Sequence, residues 1–267
     1  MPISIDLPSL LPALLDAAQD ASARIMADWG HPKTVSHKID GSPVTQTDAD
    51  AEKIITVRLR ALLPAAIVAE EEFEDGVTPT IDPDAPFFLI DALDGTRDFI
   101  KDGRDFTVNI ALIVNRQPVA GVIHAPALGV TWYAAQGHGA HRIEGGVTRR
   151  ITMRDIPKDG LFLLGGKRSS EPVVLEPFIG PQIVANRAQR SSSLKFCLLA
   201  EAAADVYPRL GETYEWDTAA GDIILREAGG AVIDLATGKP LAYGKQERRF
   251  LNGGFIAGHR SLFLSPG

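Results

Sequence analysis

Cysteine is almost missing from this chain: Cys197 is the only one in 267 residues. That excludes an internal disulfide and fits a reducing compartment. The run Leu194-Lys195-Phe196-Cys197-Leu198-Leu199 reads as a packed helix face, where a lone thiol is inert rather than redox-active. No apolar run approaches membrane-spanning length, and Met1-Pro2-Ile3-Ser4-Ile5-Asp6 lacks the basic region of a signal peptide. These absences predict a cytoplasmic protein and leave peripheral contact with the inner membrane open. The six histidines show no ligand spacing such as His-x-x-x-His, which argues against a zinc site. A formal net charge of -7 argues against general nucleic-acid binding, while a local basic pocket for a small anion stays compatible with it.

What is present belongs to an ordinary globular protein: 45% of residues are hydrophobic and 23% charged. The length suits one large domain or two intimate ones. Leu11, Leu14, Leu15, Ala18, Ile25, Met26 and Trp29 fall at steps of three and four and predict an amphipathic helix stopped by Gly30 and Pro32. Thr47 is a candidate cap for a second helix over residues 48–63, which Pro64 ends. Strand-like runs follow at 67–69, 87–90, 106–114, 119–124 and 130–134, predicting an antiparallel meander. After about residue 150, short strands at 161–164, 183–185 and 231–234 alternate with helical stretches at 192–204 and 216–228. The predicted division is an N-terminal α+β part, 1–150, and a C-terminal α/β part, 151–267. Repeats and low-complexity segments are lacking.

Four acidic clusters stand beside apolar strands or at helix starts: Thr45-Gln46-Thr47-Asp48, Glu70-Glu71-Glu72, Asp91-Ala92-Leu93-Asp94-Gly95-Thr96 and Trp216-Asp217-Thr218. Hard cations such as magnesium take oxygen ligands, a few carboxylates together with substrate phosphate oxygens. Glu70, Asp91, Asp94 and Asp217 can supply such a cage. Gly95 lets the backbone approach a phosphate, and Thr96 can hydrogen-bond a nucleophilic water. Each cluster also has a plainer reading. Asp48 and Asp217 are the acids a helix dipole favours in a first turn, Glu70-Glu71-Glu72 reads as a solvated charge run, and Asp91 to Gly95 reads as a turn. Lys167, Arg168 and Lys195 read equally as surface charges.

The run Leu89-Ile90-Asp91-Ala92-Leu93-Asp94-Gly95-Thr96-Arg97-Asp98-Phe99 resembles the Asp-Pro-hydrophobic-Asp-Gly-Thr signature of the lithium-sensitive, magnesium-dependent inositol monophosphatase superfamily. Trp216-Asp217-Thr218-Ala219-Ala220-Gly221, followed by Glu227-Ala228-Gly229-Gly230, resembles its second signature. Within the superfamily, Phe106-Thr107-Val108-Asn109-Ile110-Ala111-Leu112, Ser42-Pro43-Val44-Thr45, and Ser192-Ser193-Leu194-Lys195-Phe196-Cys197 with Tyr207-Pro208-Arg209 are similar to the CysQ-type 3'(2'),5'-bisphosphate nucleotidases. The resemblance runs from the first helix to Phe250-Leu251-Asn252.

That resemblance implies a layered αβαβα sandwich, an active site between its halves, and two to three Mg2+ ions. Glu70, Asp91 and the Leu93 carbonyl would hold the first ion, Asp91, Asp94 and Asp217 the second, and Glu70 a looser third. Asp48 and Thr96, with Glu70, would form the catalytic set that orients and deprotonates water. Glu70, Leu93, Asp94, Gly95, Thr96, Arg168, Ser192, Ser193, Lys195 and Asp217 would contact the substrate, 3'-phosphoadenosine 5'-phosphate, which would be cleaved to AMP and phosphate. The sequence leaves monomer and homodimer equally open. Three positions depart from the family: Ala92 replaces proline, Ser191 stands where glycine is common, and Ser170 where histidine is frequent. The alternatives are an inositol, histidinol or fructose phosphate phosphatase on the same metals, and a non-catalytic metal- or nucleotide-binding regulator.

Overall fold

Helix α1 (Leu7–Asp28) starts at the Asp6 cap, which accepts from Ser9, and ends at Trp29, where the backbone turns extended ahead of Gly30. Its buried stripe, Leu10, Leu11, Leu14, Ala17, Ala18, Ala21 and Ile25, follows the helical period. A short antiparallel pair, β1 (Val35–His37) and β2 (Pro43–Thr45), leads into α2 (Gln46–Leu62). The computed structural model describes residues 5–38, 41–70, 76, 80–166 and 175–263.

Strands β3 (Ala66–Ala69), β4 (Phe87–Asp94), β5 (Thr107–Val114), β6 (Gln117–Ala125), β7 (Val130–Ala135), β8 (Gly139–Glu144) and β9 (Val147–Ile151) form one seven-stranded sheet in that order. Helix α3 (Thr96–Ile100) follows β4 directly. The predicted meander is therefore present, with two differences. The first pair, β3 with β4, is parallel, and β8 and β9 extend the sheet. Strand β4 is apolar throughout its first half because both of its faces are covered. Phe88 and Ile90 join the α1/α2 core, while Phe87 and Leu89 join the core on the opposite face.

The remainder gives β10 (Leu161–Gly166), α4 (Glu176–Ile179), β11 (Val184–Arg190), α5 (Leu194–Ala200), β12 (Val206–Arg209), β13 (Thr213–Tyr214), α6 (Ala219–Glu227), β14 (Gly230–Asp234), β15 (Leu251–Asn252) and β16 (Phe255–His259). Five of these strands form a mixed sheet in the order β11-β10-β12-β16-β14, and β13 pairs with β15. Helices α5 and α6 lie between the two sheets, since their apolar residues share one cluster with residues of β4 to β7 and of β10, β14 and β16. Helix α4 covers the outer side of the second sheet through Leu175 and Ile179. The succession is the expected αβαβα sandwich. One continuous core therefore includes residues from both sides of position 150.

Gly121 shows why α6 sits so close to the first sheet. A Cβ there would lie 2.7 Å from Ile223 and 3.0 Å from the Cα of Ala220. This close approach carries the start of α6, and with it Asp217, to the end of β4. Helices expected at 192–204 and 216–228 are shorter than predicted, because residues 201–204 and 216–218 form turns rather than helix. Among the described residues no helix is long and apolar enough to cross a membrane.

Candidate active site

A regular strand alternates its side chains, so residues three apart point to opposite faces. Asp91 and Asp94 nevertheless share a face, because β4 is irregular between them. Asp91 pairs with Asn109 and Asp94 with Thr107, so three steps on β4 match only two on β5. The extra residue falls at Ala92 and Leu93, both of which turn into the α1/α2 core. Asp91 is on the odd-numbered face with Phe87 and Leu89, the one that meets α5 and α6. There Asp217, in the turn before α6, completes a group: one carboxylate oxygen from each of Asp91, Asp94 and Asp217 lies within 4.8 Å of the others.

The three carboxylates share a pattern of hydrogen bonding. Asp91 Oδ1 accepts from the Leu93 N–H at 3.0 Å, Asp217 Oδ2 from the Tyr214 N–H at 3.0 Å, and Asp94 Oδ2 from the Ser193 N–H at 2.6 Å. One oxygen of each is thus fixed by the fold. Among the described residues, none of the three forms an ion pair. Burial and mutual repulsion hold Asp91 and Asp217 well above the usual carboxylate range and raise Asp94 too, Lys195 opposing the rise there. An all-oxygen set of clustered acids, only partly offset by Lys195 and Arg209, fits a hard divalent cation, whose charge would remove the remaining repulsion.

Glu70, at the end of β3, is half-buried and pairs with Lys38 at 2.7 Å. Its charge lies near that of Asp91 and helps to raise the Asp91 carboxyl. Asp48 is buried in the first turn of α2 for a local reason. Thr45, not the expected Thr47, caps the helix, and its N–H and Oγ–H both donate to Asp48 Oδ2, at 2.9 and 2.6 Å. Thr47 instead donates to Asp28. Burial pushes the Asp48 carboxyl up to about 6. Its Oδ1 lies 2.9 Å from Thr96 Oγ, which is also 3.0 Å from the Leu93 carbonyl. The single Thr96 proton can serve only one of these acceptors at a time.

Gly95 has φ +96°, and a Cβ there would lie 2.7 Å from the Asp105 carbonyl oxygen. Glycine is thus required for Thr96 to face Asp48. The turn 191–193 is held from the same side: Ser191 donates its hydroxyl to Asp98 and its N–H to Asp105. Ser192 is half-buried at φ +54°. Ser193 is buried, and its hydroxyl lies 2.8 Å from both Asp94 Oδ2 and the Asp217 carbonyl. Lys195 is nearly buried too, donates to the Ser192 carbonyl at 2.5 Å, and is lowered to about 8 by desolvation. Arg168, with Lys167, Ser170, Glu71 and Glu72, lies outside the described residues.

Three contributors have no role assigned from the sequence. Lys38 carries no signal of its own, and Thr45 stands in a motif and is as good a cap locally as Thr47. Asn109 carries a signal, as a lone amide inside the apolar run Val108-Asn109-Ile110: it is buried, with Nδ2 placed 2.9 Å from Ser193 Oγ.

Comparison with known proteins matches residues 6–263 to the model of the inositol monophosphatase family. The 3'(2'),5'-bisphosphate nucleotidase CysQ of Escherichia coli (strain K12) is 40% identical over 248 residues, covering 92% of this chain and 98% of that protein. The CysQ of Aggregatibacter actinomycetemcomitans is 36% identical over 251 residues, covering 93% and 92%. The crystal structure of CysQ from Bacteroides thetaiotaomicron superposes with a TM-score of 0.77 at 32% identity, covering 97% of this chain and 99% of that one.

Proposed function

Because the chain belongs to the inositol monophosphatase family, we propose that it is a magnesium-dependent 3'(2'),5'-bisphosphate nucleotidase that converts 3'-phosphoadenosine 5'-phosphate to AMP and phosphate. The observation that carries the reading is the convergence of Asp91, Asp94 and Asp217 within 4.8 Å, beside the Asp48–Thr96 pair. The identity to CysQ proteins over nearly the full length of both chains supports the substrate. The same reading keeps the enzyme and its small-molecule substrate in the cytoplasm, in line with a single buried cysteine.

Asp91, Asp94 and Asp217 would hold one magnesium ion, Glu70 with Asp91 and the Leu93 carbonyl a second, and Glu70 a looser third. Bound magnesium would neutralise charge on the transferring phosphoryl group and acidify water. Thr96 Oγ accepts a hydrogen bond from the attacking water and passes its own proton toward Asp48 Oδ1, 2.9 Å away. The water oxygen bonds to phosphorus as the P–O bond to the ribose breaks, in line, and the ribose oxygen takes a proton from a second water on the Asp217 side, leaving hydroxide there. Asp48 must be ionised to receive the water proton, so the rate falls on the acid side of its pKa.

Two results are expected. Purified protein with Mg2+ should release inorganic phosphate and 5'-AMP from 3'-phosphoadenosine 5'-phosphate; recovery of adenosine 3'-phosphate instead would overturn the assignment. Asp48→Asn should lower kcat by about 10²–10⁴-fold, with magnesium affinity unchanged by calorimetry. It should also remove the acid limb of kcat, which in the native enzyme falls as pH drops through about 6 or below. An intact acid limb in Asp48→Asn would assign that ionisation elsewhere.

A further inference from the structure

The structure assigns Asn109 as a positioning residue, one that works through Ser193 to fix which oxygen of Asp94 is offered to a cation; this rests on the metal-centre reading above. Asn109 lies directly across from Asp91 in the β4–β5 register, so its side chain stands on the same face of the sheet. Its Nδ2 donates to Ser193 Oγ at 2.9 Å and reaches Asp94 Oδ2 at 3.4 Å. The Oδ1 of the amide is buried and, among the described residues, has no hydrogen-bond partner. Both anchors of the amide are therefore on Nδ2. Turning the amide over would place Oδ1 against the Asp94 carboxylate, which is repulsive, so only one orientation is allowed.

The consequence falls on Ser193. Its hydroxyl has one proton and two acceptors at equal distance, Asp94 Oδ2 and the Asp217 carbonyl, each 2.8 Å away. With Asn109 donating to it, Oγ acts as an acceptor on that side and keeps one proton to donate to the Asp94 carboxylate or to the Asp217 main-chain carbonyl. The Ser193 N–H adds a further donor to the same Asp94 oxygen at 2.6 Å. Donors thus collect on Oδ2, and among the described residues none reaches Oδ1. Asn109 comes from the first sheet and Ser193 from the turn before α5, so the same bond ties the two halves together next to Asp217. An outer group that orients a metal-binding carboxylate typically changes metal affinity by about 10–100-fold when removed.

The test compares Asn109→Leu, Ser193→Ala and the double variant with Asp94→Asn, using Mn2+ binding to the metal-free protein by calorimetry, and kcat and KM separately. Each single variant should bind Mn2+ about 10–100-fold more weakly and lose kcat, with KM for 3'-phosphoadenosine 5'-phosphate little changed. The double variant should be no worse than the poorer single one, because both act on one oxygen. Should Asn109→Leu not fold, Asn109→Ser, too short to reach Ser193 Oγ, carries the same expectation. Native Mn2+ affinity in a folded Asn109 variant, or additive losses in the double, overturns the assignment. Native Mn2+ affinity in Asp94→Asn would instead overturn the metal centre itself.

Discussion

Asp91→Asn should lower kcat/KM by about 10³-fold, a rise in barrier of roughly 4 kcal/mol, and should raise the thermal midpoint of the metal-free protein. The two effects have one cause. Asp91 is fully buried beside Glu70, Asp94 and Asp217, and desolvation followed by their repulsion holds its carboxyl well above the ordinary value of 3.8. A cation makes that charge useful; without one it opposes folding. Asparagine keeps the volume and the acceptor for the Leu93 N–H, so the turn survives while the charge goes. The sign of the pH dependence follows. An acid whose pKa is raised by folding stabilises the native state below its unfolded value, and that stability is lost as pH rises toward the folded value. Metal-free protein should therefore lose stability as pH climbs above about 4, with a shallower decline in Asp91→Asn. Thermal melts in chelator across pH, repeated with Mg2+, check this. Mg2+ should raise the midpoint of the native protein and leave the variant unmoved; a variant less stable than the metal-free native protein contradicts it.

Gly95→Ala should cost about 2–4 kcal/mol of stability and at least about 10²-fold in kcat. Its φ of +96° penalises any side chain by roughly 1–2 kcal/mol. The added Cβ would also meet the Asp105 carbonyl at 2.7 Å and the Phe106 Cα at 3.2 Å. Both obstacles are backbone, so the chain must shift and Thr96 must shift with it. A displacement of about 1 Å at a reacting group costs on the order of 10²-fold. Gly129→Ala is the control, since φ is +69° there and nothing stands within 4 Å of the new Cβ. It should show the conformational penalty in urea unfolding and keep full kcat. Equal effects of the two substitutions would remove the steric argument.

How legible these features are in the sequence depends on where the information lies. Strand β4 was legible because an apolar run bounded by Asp and Gly marks a strand end. The helix period placed α1. Asp91 and Asp94 were legible as a pair, but not their shared face, since plain alternation would separate them; the bulge at Ala92 and Leu93 is a property of the pairing with β5. The cap of α2 was misplaced by two residues because Thr45 and Thr47 are equally good caps locally. The choice falls to Thr45 through the reciprocal bond with Asp48, while Asp28 of α1 takes the Thr47 hydroxyl. Strand β3 pairs parallel to β4, a direction that a run of four apolar residues does not encode. Ser193 reads as a substrate contact from its motif, yet it is buried against Asp94 and Asp217. Only the packing of α5 on the first sheet determines that.

The most direct measurement is phosphate release by the purified protein in Mg2+, with 3'-phosphoadenosine 5'-phosphate, its sulfated analogue, inositol 1-phosphate and fructose 1,6-bisphosphate compared at equal concentration. The bisphosphate nucleotide should give the highest kcat/KM, with activity lost in chelator and restored by Mg2+. Rapid hydrolysis of inositol 1-phosphate or fructose 1,6-bisphosphate with the nucleotide left intact would contradict the proposed function.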